Sequence, residues 1–166
     1  MIFFDIEKNE RIAMEEREDC IIAEVRFSGS GWTAVSDSEL LGFTKTGKIK
    51  YEVGFQGRTV SDFNIDNPNN MVFAFINNQN NTVLEMYDKN GKLRGSYAAS
   101  GELKNLTVKG EVVLCSQLRN LMYLDPSGRL RKTESISHDM KNVQLFGDRK
   151  HVLVMGGTTA NILKIR

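Results

Sequence analysis

The sequence predicts an all-β chain built from repeated four-stranded antiparallel units, and three observations carry that prediction. Apolar strand, tight turn and second strand recur together at FFDIEKNERI (3–12), LLGFTKTGKI (40–49), LEMYDKNGKL (84–93) and MYLDPSGRLR (122–131). Aligning the turns brings Glu10, Gly47, Gly91 and Gly128 into one column, at spacings of 37, 44 and 37 residues. A second landmark keeps the same offset: LKNLTV (103–108) matches MKNVQL (140–145) 37 residues on. A fixed period of this size is the signature of a repeat architecture.

The turns explain their own residues. Asp88-Lys89-Asn90-Gly91 and Asp125-Pro126-Ser127-Gly128 suit a type I turn closed by a left-handed residue. Asp caps such a turn, Pro fits its first central position, and Gly takes positive φ without strain. Lys45-Thr46-Gly47 is a weaker copy, and Glu10 in the glycine column marks the first copy as degenerate. The strands between are rich in Val, Ile, Phe and Tyr, as half-buried pleated surfaces prefer. No segment has an amphipathic helical stripe; Ala13–Asp19 holds helix formers without one.

Each unit then reads as four strands. In the third, strand a is Leu103–Val108, b is Val112–Ser116, c is Asn120–Leu124 and d is Leu130–Glu134. Four strands in about 40 residues is the size of a β-propeller blade. The chain divides into pieces 1–19, 20–57, 58–99, 100–137 and 138–166 of one propeller-like domain. It starts on strand c (Ile2–Ile6), continues with d (Arg11–Glu16), runs through a-b-c-d three times, and ends on strand c (Asn161–Arg166). About four blades are expected, as a half-propeller or a fragment of a larger ring. A β-sandwich is the alternative, because short strands with regular turns suit both.

These hairpins resemble the repeat propellers of the quinoprotein-like and WD-type superfamily. The apolar–D-x-x-G-K/R pattern at Asp88–Lys92 and Asp125–Arg129 carries the resemblance. The Trp-Asp dipeptide of WD repeats is missing. So is the tryptophan that quinoprotein blades place after the turn glycine; the one tryptophan, Trp32, opens a b strand instead. The chain is also similar to extracytoplasmic propeller domains of unknown function in membrane-anchored bacterial proteins. That similarity implies an extracytoplasmic location; the sequence itself leaves the compartment open.

Composition narrows the function classes. A net charge of +1 argues against bulk electrostatic binding to nucleic acid. The charge is unevenly spread. Residues 1–20 hold seven acids against three bases, a net of −4, and residues 141–166 hold five bases against Asp148, a net of +4. No apolar run reaches membrane-span length. Cys20 and Cys115 lack zinc-ligand spacing, and Cys115, in the run Val112–Cys115, reads as a buried free thiol.

No motif specifies chemistry. His138-Asp139 is the one adjacent acid–base pair, and it falls in a link between blades. The DKNG turn lacks the later acids of a calcium loop. Met155–Thr159 is glycine-rich, but no helix follows to cradle a phosphate. Asn77–Asn81 reads as a polar loop that lengthens one repeat to 44 residues. Neither a cofactor nor a metal is expected. The expectation is a non-catalytic binding or scaffold domain whose loops meet a protein or other macromolecular partner. A further expectation is that Arg11–Glu16 pairs with Asn161–Arg166, either within one chain, closing a small ring, or between two chains, joining two half-rings, the second being favoured. The alternative is an enzyme or cofactor-binding propeller with a site in the central channel. Its channel-facing candidates are Ser61, Asp62, Lys104, Asn105, Lys141 and Asn142.

Overall fold

The computed structural model describes residues 1–18 and 20–164, and all the regular structure is strand. Seventeen strands follow in chain order. They are β1 (Ile2–Asp5), β2 (Glu10–Met14), β3 (Ile22–Phe27), β4 (Gly31–Ser36), β5 (Glu39–Thr44), β6 (Ile49–Gly54), β7 (Thr59–Asn64), β8 (Met71–Ile76), β9 (Thr82–Tyr87) and β10 (Leu93–Ala99). The rest are β11 (Lys104–Lys109), β12 (Val112–Gln117), β13 (Asn120–Leu124), β14 (Leu130–Ser135), β15 (Asn142–Leu145), β16 (His151–Met155) and β17 (Ala160–Lys164).

They form a two-stranded sheet β1-β2, three four-stranded antiparallel sheets β3 to β6, β7 to β10 and β11 to β14, and a three-stranded sheet β15-β16-β17. Every sheet is a meander of consecutive strands. Among the described residues no sheet has a Greek-key order, so the architecture is that of propeller blades and not of the alternative sandwich.

By packing, the chain falls into two compact units. The first comprises residues 1–58 with 89–91, the second residues 59–88 with 92–166. In the first unit, Phe3 of β1 packs on Ala34, Leu41 and Phe43 of the β3–β6 sheet, beside Trp32. Its ring lies 5.2 Å from Phe43 and 6.0 Å from Trp32. Arg17, just past β2, pairs with Glu15 at 2.9 Å and Glu52 at 2.6 Å, holding the hairpin's exit to the same sheet.

In the second unit, alternation along each strand sends its side chains to two different cores. On β12, Val113 and Cys115 join Val72, Ala74, Leu84 and Met86 of the preceding sheet. Leu114, between them, joins Leu121, Tyr123, Val152 and Val154 toward the following sheet. A middle blade is thus apolar on both faces. Phe73, Val113 and Val152, expected from the sequence to be buried on b strands, are all fully buried. Burial also pushes the Cys115 thiol up to about 12, with the Asp62 carboxylate adding to the effect.

The turn column behaves as its chemistry requires. Gly47, Gly91 and Gly128 have φ of +78°, +71° and +79°. The Asp125 carboxylate accepts from the backbone N–H of Ser127 at 2.9 Å and of Arg129 at 3.1 Å. The first copy departs from the alignment. Its loop is one residue shorter between the paired strand ends, and Asn9, at φ +51°, takes the left-handed position while Glu10 opens β2. Asn tolerates this region where Glu would be strained.

The two terminal strands expected to pair, β2 and β17, are each the edge strand of a sheet, with one partner among the described residues. β2 pairs with β1 and β17 with β16, and no ladder joins β2 to β17 among the described residues. Hairpin formation is local and keeps β2 on β1 at little loop-closure cost. The last two residues of the proposed C-terminal strand, 165–166, lie outside the described residues.

Candidate binding face

In the second unit the innermost strands lie side by side, with β11 touching both β7 and β15. A bulge interrupts two of these strands at corresponding places: at Ser61 in β7 and around Asn105-Leu106 in β11. A bulge re-aims the side chains beside it, and here it turns them to different tasks.

Ser61 Oγ donates to the Ala74 carbonyl at 3.2 Å. Asp62 accepts from its neighbour Phe63 N–H at 2.8 Å and, across to the next blade, from Leu106 N–H at 3.1 Å. Burial raises the Asp62 carboxyl above its ordinary value, and these two donors pull it back. Asn105 adopts φ +55° and donates from Nδ2 to Ser116 Oγ at 2.8 Å. Ser116 Oγ in turn donates to the Lys104 carbonyl at 3.2 Å. Lys104 Nζ reaches Glu102 at 3.0 Å.

Lys104 and Asn105 line a cleft of 510 Å³ with Ser100 and Glu102 from the link into β11, Gln117 and Leu118 at the end of β12, and Met140 ahead of β15. The other four channel candidates do not line it. Ser61 and Asp62 are engaged at the blade junction, and Lys141 and Asn142 are exposed with the Lys141 N–H bonded to the Met155 carbonyl at 2.8 Å.

The residues that dominate this face lay outside the sequence candidates. Leu118 and Arg119 form a two-residue turn between β12 and β13, where Gln117 opposes Asn120. Leu118 is 88% exposed and has φ +53°, a region where Gly or Asn is usual. It also borders a shallower groove, with Arg119, Asn120, Asp139 and Met140. Arg119 Nε meets Asp139 Oδ1 at 2.7 Å and holds that carboxyl below the usual range. Asp139 is therefore engaged by Arg119, while His138 Nε2 is buried with no hydrogen-bond partner. The turn's shortness was readable from the boundaries of strands b and c, but the left-handed leucine was not.

Among the described residues no group of three His, Cys, Asp or Glu side chains could hold a metal ion. Nor, among the described residues, is any helix long and apolar enough to cross a membrane.

A family model, "Family of unknown function (DUF5711)", matches residues 2–165. The chain belongs to that family. No curated protein matches it. Among solved structures, the computationally designed Ika4 protein is similar at 14% identity with a TM-score of 0.69, over 95% of this chain and 99% of that one. BamB from Moraxella catarrhalis is similar at 9% identity and 0.62, over 85% of this chain and 42% of that one. The C-terminal WD40 domain of Sif2 is similar at 9% and 0.66, over 87% and 46%. The DUF5711 chain thus has the propeller-repeat fold and spans less than half the length of these two natural propellers.

Proposed function

We propose that this chain is a non-catalytic binding module that engages a protein partner through the face built by the β12–β13 turn and the links into β11 and β15. The observation that carries this reading is Leu118. A large apolar side chain held in solvent, in a conformation costing about 1–2 kcal/mol, is locally unfavourable twice over. Such an outlier is understandable where the exposed side chain is an anchor for a partner. Met140 beside it, and the Arg119–Asp139 pair at the margin, give the apolar centre and polar rim that interfaces share.

The chemistry of the cleft supports binding over catalysis. The Ser116 hydroxyl proton is committed to the Lys104 carbonyl, and the Lys104 ammonium is held by Glu102. Propeller neighbours of the WD40 and BamB type support a scaffold role at the level of fold. Self-association through the terminal strands is a separate reading, favoured by the exposed Ile2 and Phe4 of β1 and Ile162 of β17.

The test is affinity capture with three baits: wild type, Leu118→Asn, and Gly29→Ala in the β3–β4 turn as a control away from this face. A protein held by wild type and Gly29→Ala but lost with Leu118→Asn supports the reading. Capture that is indifferent to Leu118→Asn overturns it.

A further inference from the structure

The meander of the third four-stranded sheet puts the β12–β13 turn, with Leu118, at one end of its strands and the β11–β12 and β13–β14 turns at the other. At that second end, within the second unit, a cleft of 320 Å³ is shared with the β15–β16 turn. Val112, Leu124 and Tyr123 give it apolar walls. Arg131, Lys132 and Arg149 bring three positive charges against the carboxylates of Glu111 and Asp125.

Most of these charges are already engaged. Glu111 pairs with Arg94 at 3.2 Å and Asp125 with Arg131 at 2.5 Å. Lys132 Nζ is held by Glu134 at 2.9 Å and lies 5.9 Å from the centre of the Tyr123 ring. Arg149 has no ion-pair partner among the described residues, yet its place is fixed. Its backbone takes φ +58° and its N–H donates to the Phe146 carbonyl at 3.0 Å. Its side chain passes so close over Gly110 that a Cβ there would lie 2.8 Å from Nη1. A second group is also unmet. Tyr123 is 3% exposed, and its hydroxyl is buried with no hydrogen-bond partner. Burial pushes that hydroxyl up to about 12, with the Glu134 carboxylate adding to the effect, so at neutral pH it is a donor. A buried donor left without an acceptor is costly, and native structures rarely keep one idle.

We propose that this cleft binds the carboxylate of a small organic acid with an apolar body. The Arg149 guanidinium takes the planar carboxylate in its fork. The surface side chain of Lys132 moves off the Tyr123 ring as the ligand enters, and the hydroxyl then donates to a carboxylate oxygen. Charge selects the class. Three cations against two acids leave one positive charge, which a monocarboxylate neutralises. A phosphate dianion would set surplus charge against Glu111 and Asp125. The apolar walls hold the body, and the volume matches the smaller end of small-ligand sites, about 300 Å³.

The test is an amide NMR titration of the full chain with phenylacetate, phenylacetamide and inorganic phosphate. Phenylacetate should give saturable shifts at Gly110, Tyr123 and Arg149, and the uncharged amide should not. Arg149→Gln should weaken phenylacetate binding at least about tenfold, and Tyr123→Phe about threefold. Tyr123→Phe should leave the denaturation midpoint unchanged or higher, because the hydroxyl it removes bonds nothing in the free chain. No saturation by phenylacetate up to about 20 mM overturns the proposal. So does binding of the amide as tightly as the acid, phosphate binding more tightly than either, or indifference to Arg149→Gln. Leu118→Asn should bind phenylacetate as wild type does, which separates this site from the protein-binding face above.

Discussion

The Asp62 carboxylate, on the inner strand of one blade, accepts a hydrogen bond from the Leu106 N–H on the inner strand of the next, at 3.1 Å. The bulge in β11 frees that N–H from its own ladder, so a side chain must satisfy it. Asp62→Ala should cost about 1–3 kcal/mol, because two backbone donors lose their acceptor. Asp62→Asn should recover part of it, since the amide has one acceptor oxygen for the two donors. Chemical denaturation measures both, and an Asp62→Ala chain as stable as wild type would contradict this role.

Leu118→Asn should raise stability by about 0.5–1 kcal/mol while removing partner capture, because Asn tolerates the left-handed region and the leucine buries nothing in the chain itself. Gain in melting temperature together with loss of binding is the expected pattern. A fall in stability would show that Leu118 serves the fold.

Core truncations should separate the two faces of a blade from its surface. Val113→Ala should cost about 1.5–3 kcal/mol and Phe73→Ala about 3–5 kcal/mol, by lost burial plus the cavity left behind. Phe73 stacks with Phe63 at 5.9 Å and meets Tyr87 edge-on, so its loss empties an aromatic cluster. Losses below about 0.5 kcal/mol at both would contradict the packing described.

Gly128 and Gly29 share a positive φ but not their surroundings. A Cβ on Gly128 would lie 2.1 Å from the Ser96 carbonyl oxygen, whereas one on Gly29 would meet nothing within 4 Å. Gly128→Ala should therefore cost more than about 2 kcal/mol and Gly29→Ala only the backbone cost of about 1–2 kcal/mol. Equal losses on thermal unfolding would mean that the close approach at Gly128 carries no energy.

Acid should weaken the fold through its turn aspartates. The Ser127 hydroxyl, with the Ser127 and Arg129 N–H groups, holds Asp125 down to about 2, and His151 with the Lys150 N–H holds Asp148 down to about 2. A carboxyl lowered in the folded state contributes stability above its unfolded value of 3.8, lost as pH falls toward about 2. Asp62, raised by burial, has the opposite sign: its contribution grows as pH falls through its own titration. Stability measured from pH 5 to 2 should fall less steeply in Asp125→Asn and Asp148→Asn than in wild type. An unchanged slope would remove these turns from the acid response.

How much of this was legible follows from the range of each interaction. The strand order, the a–d assignment and the turn residues are local: a left-handed position needs Gly, or Asn as at Asn9, whatever lies around it. The misplacement of Glu10 was a local error too, since one loop residue fewer shifts the column without changing the pattern. The candidate face was legible only in part. Lys104 and Asn105 were named because a Lys-Asn pair repeats, yet the homologous Lys141 and Asn142 do not line the cleft, because β15 lacks the bulge that turns β11.

The sequence by itself determined the all-β class, the count of seventeen strands in sets of two, four, four, four and three, and the burial of Phe73, Val113 and Val152. Periodicity and turn chemistry act between residues a few places apart, and those relations survive without coordinates. Tertiary structure alone decided that Asp62 reaches Leu106, that Ser96 crowds Gly128, and that Leu118 stands exposed beside Met140. Each joins segments twenty to forty-odd residues apart, through a bulge or a close backbone approach that no local pattern encodes.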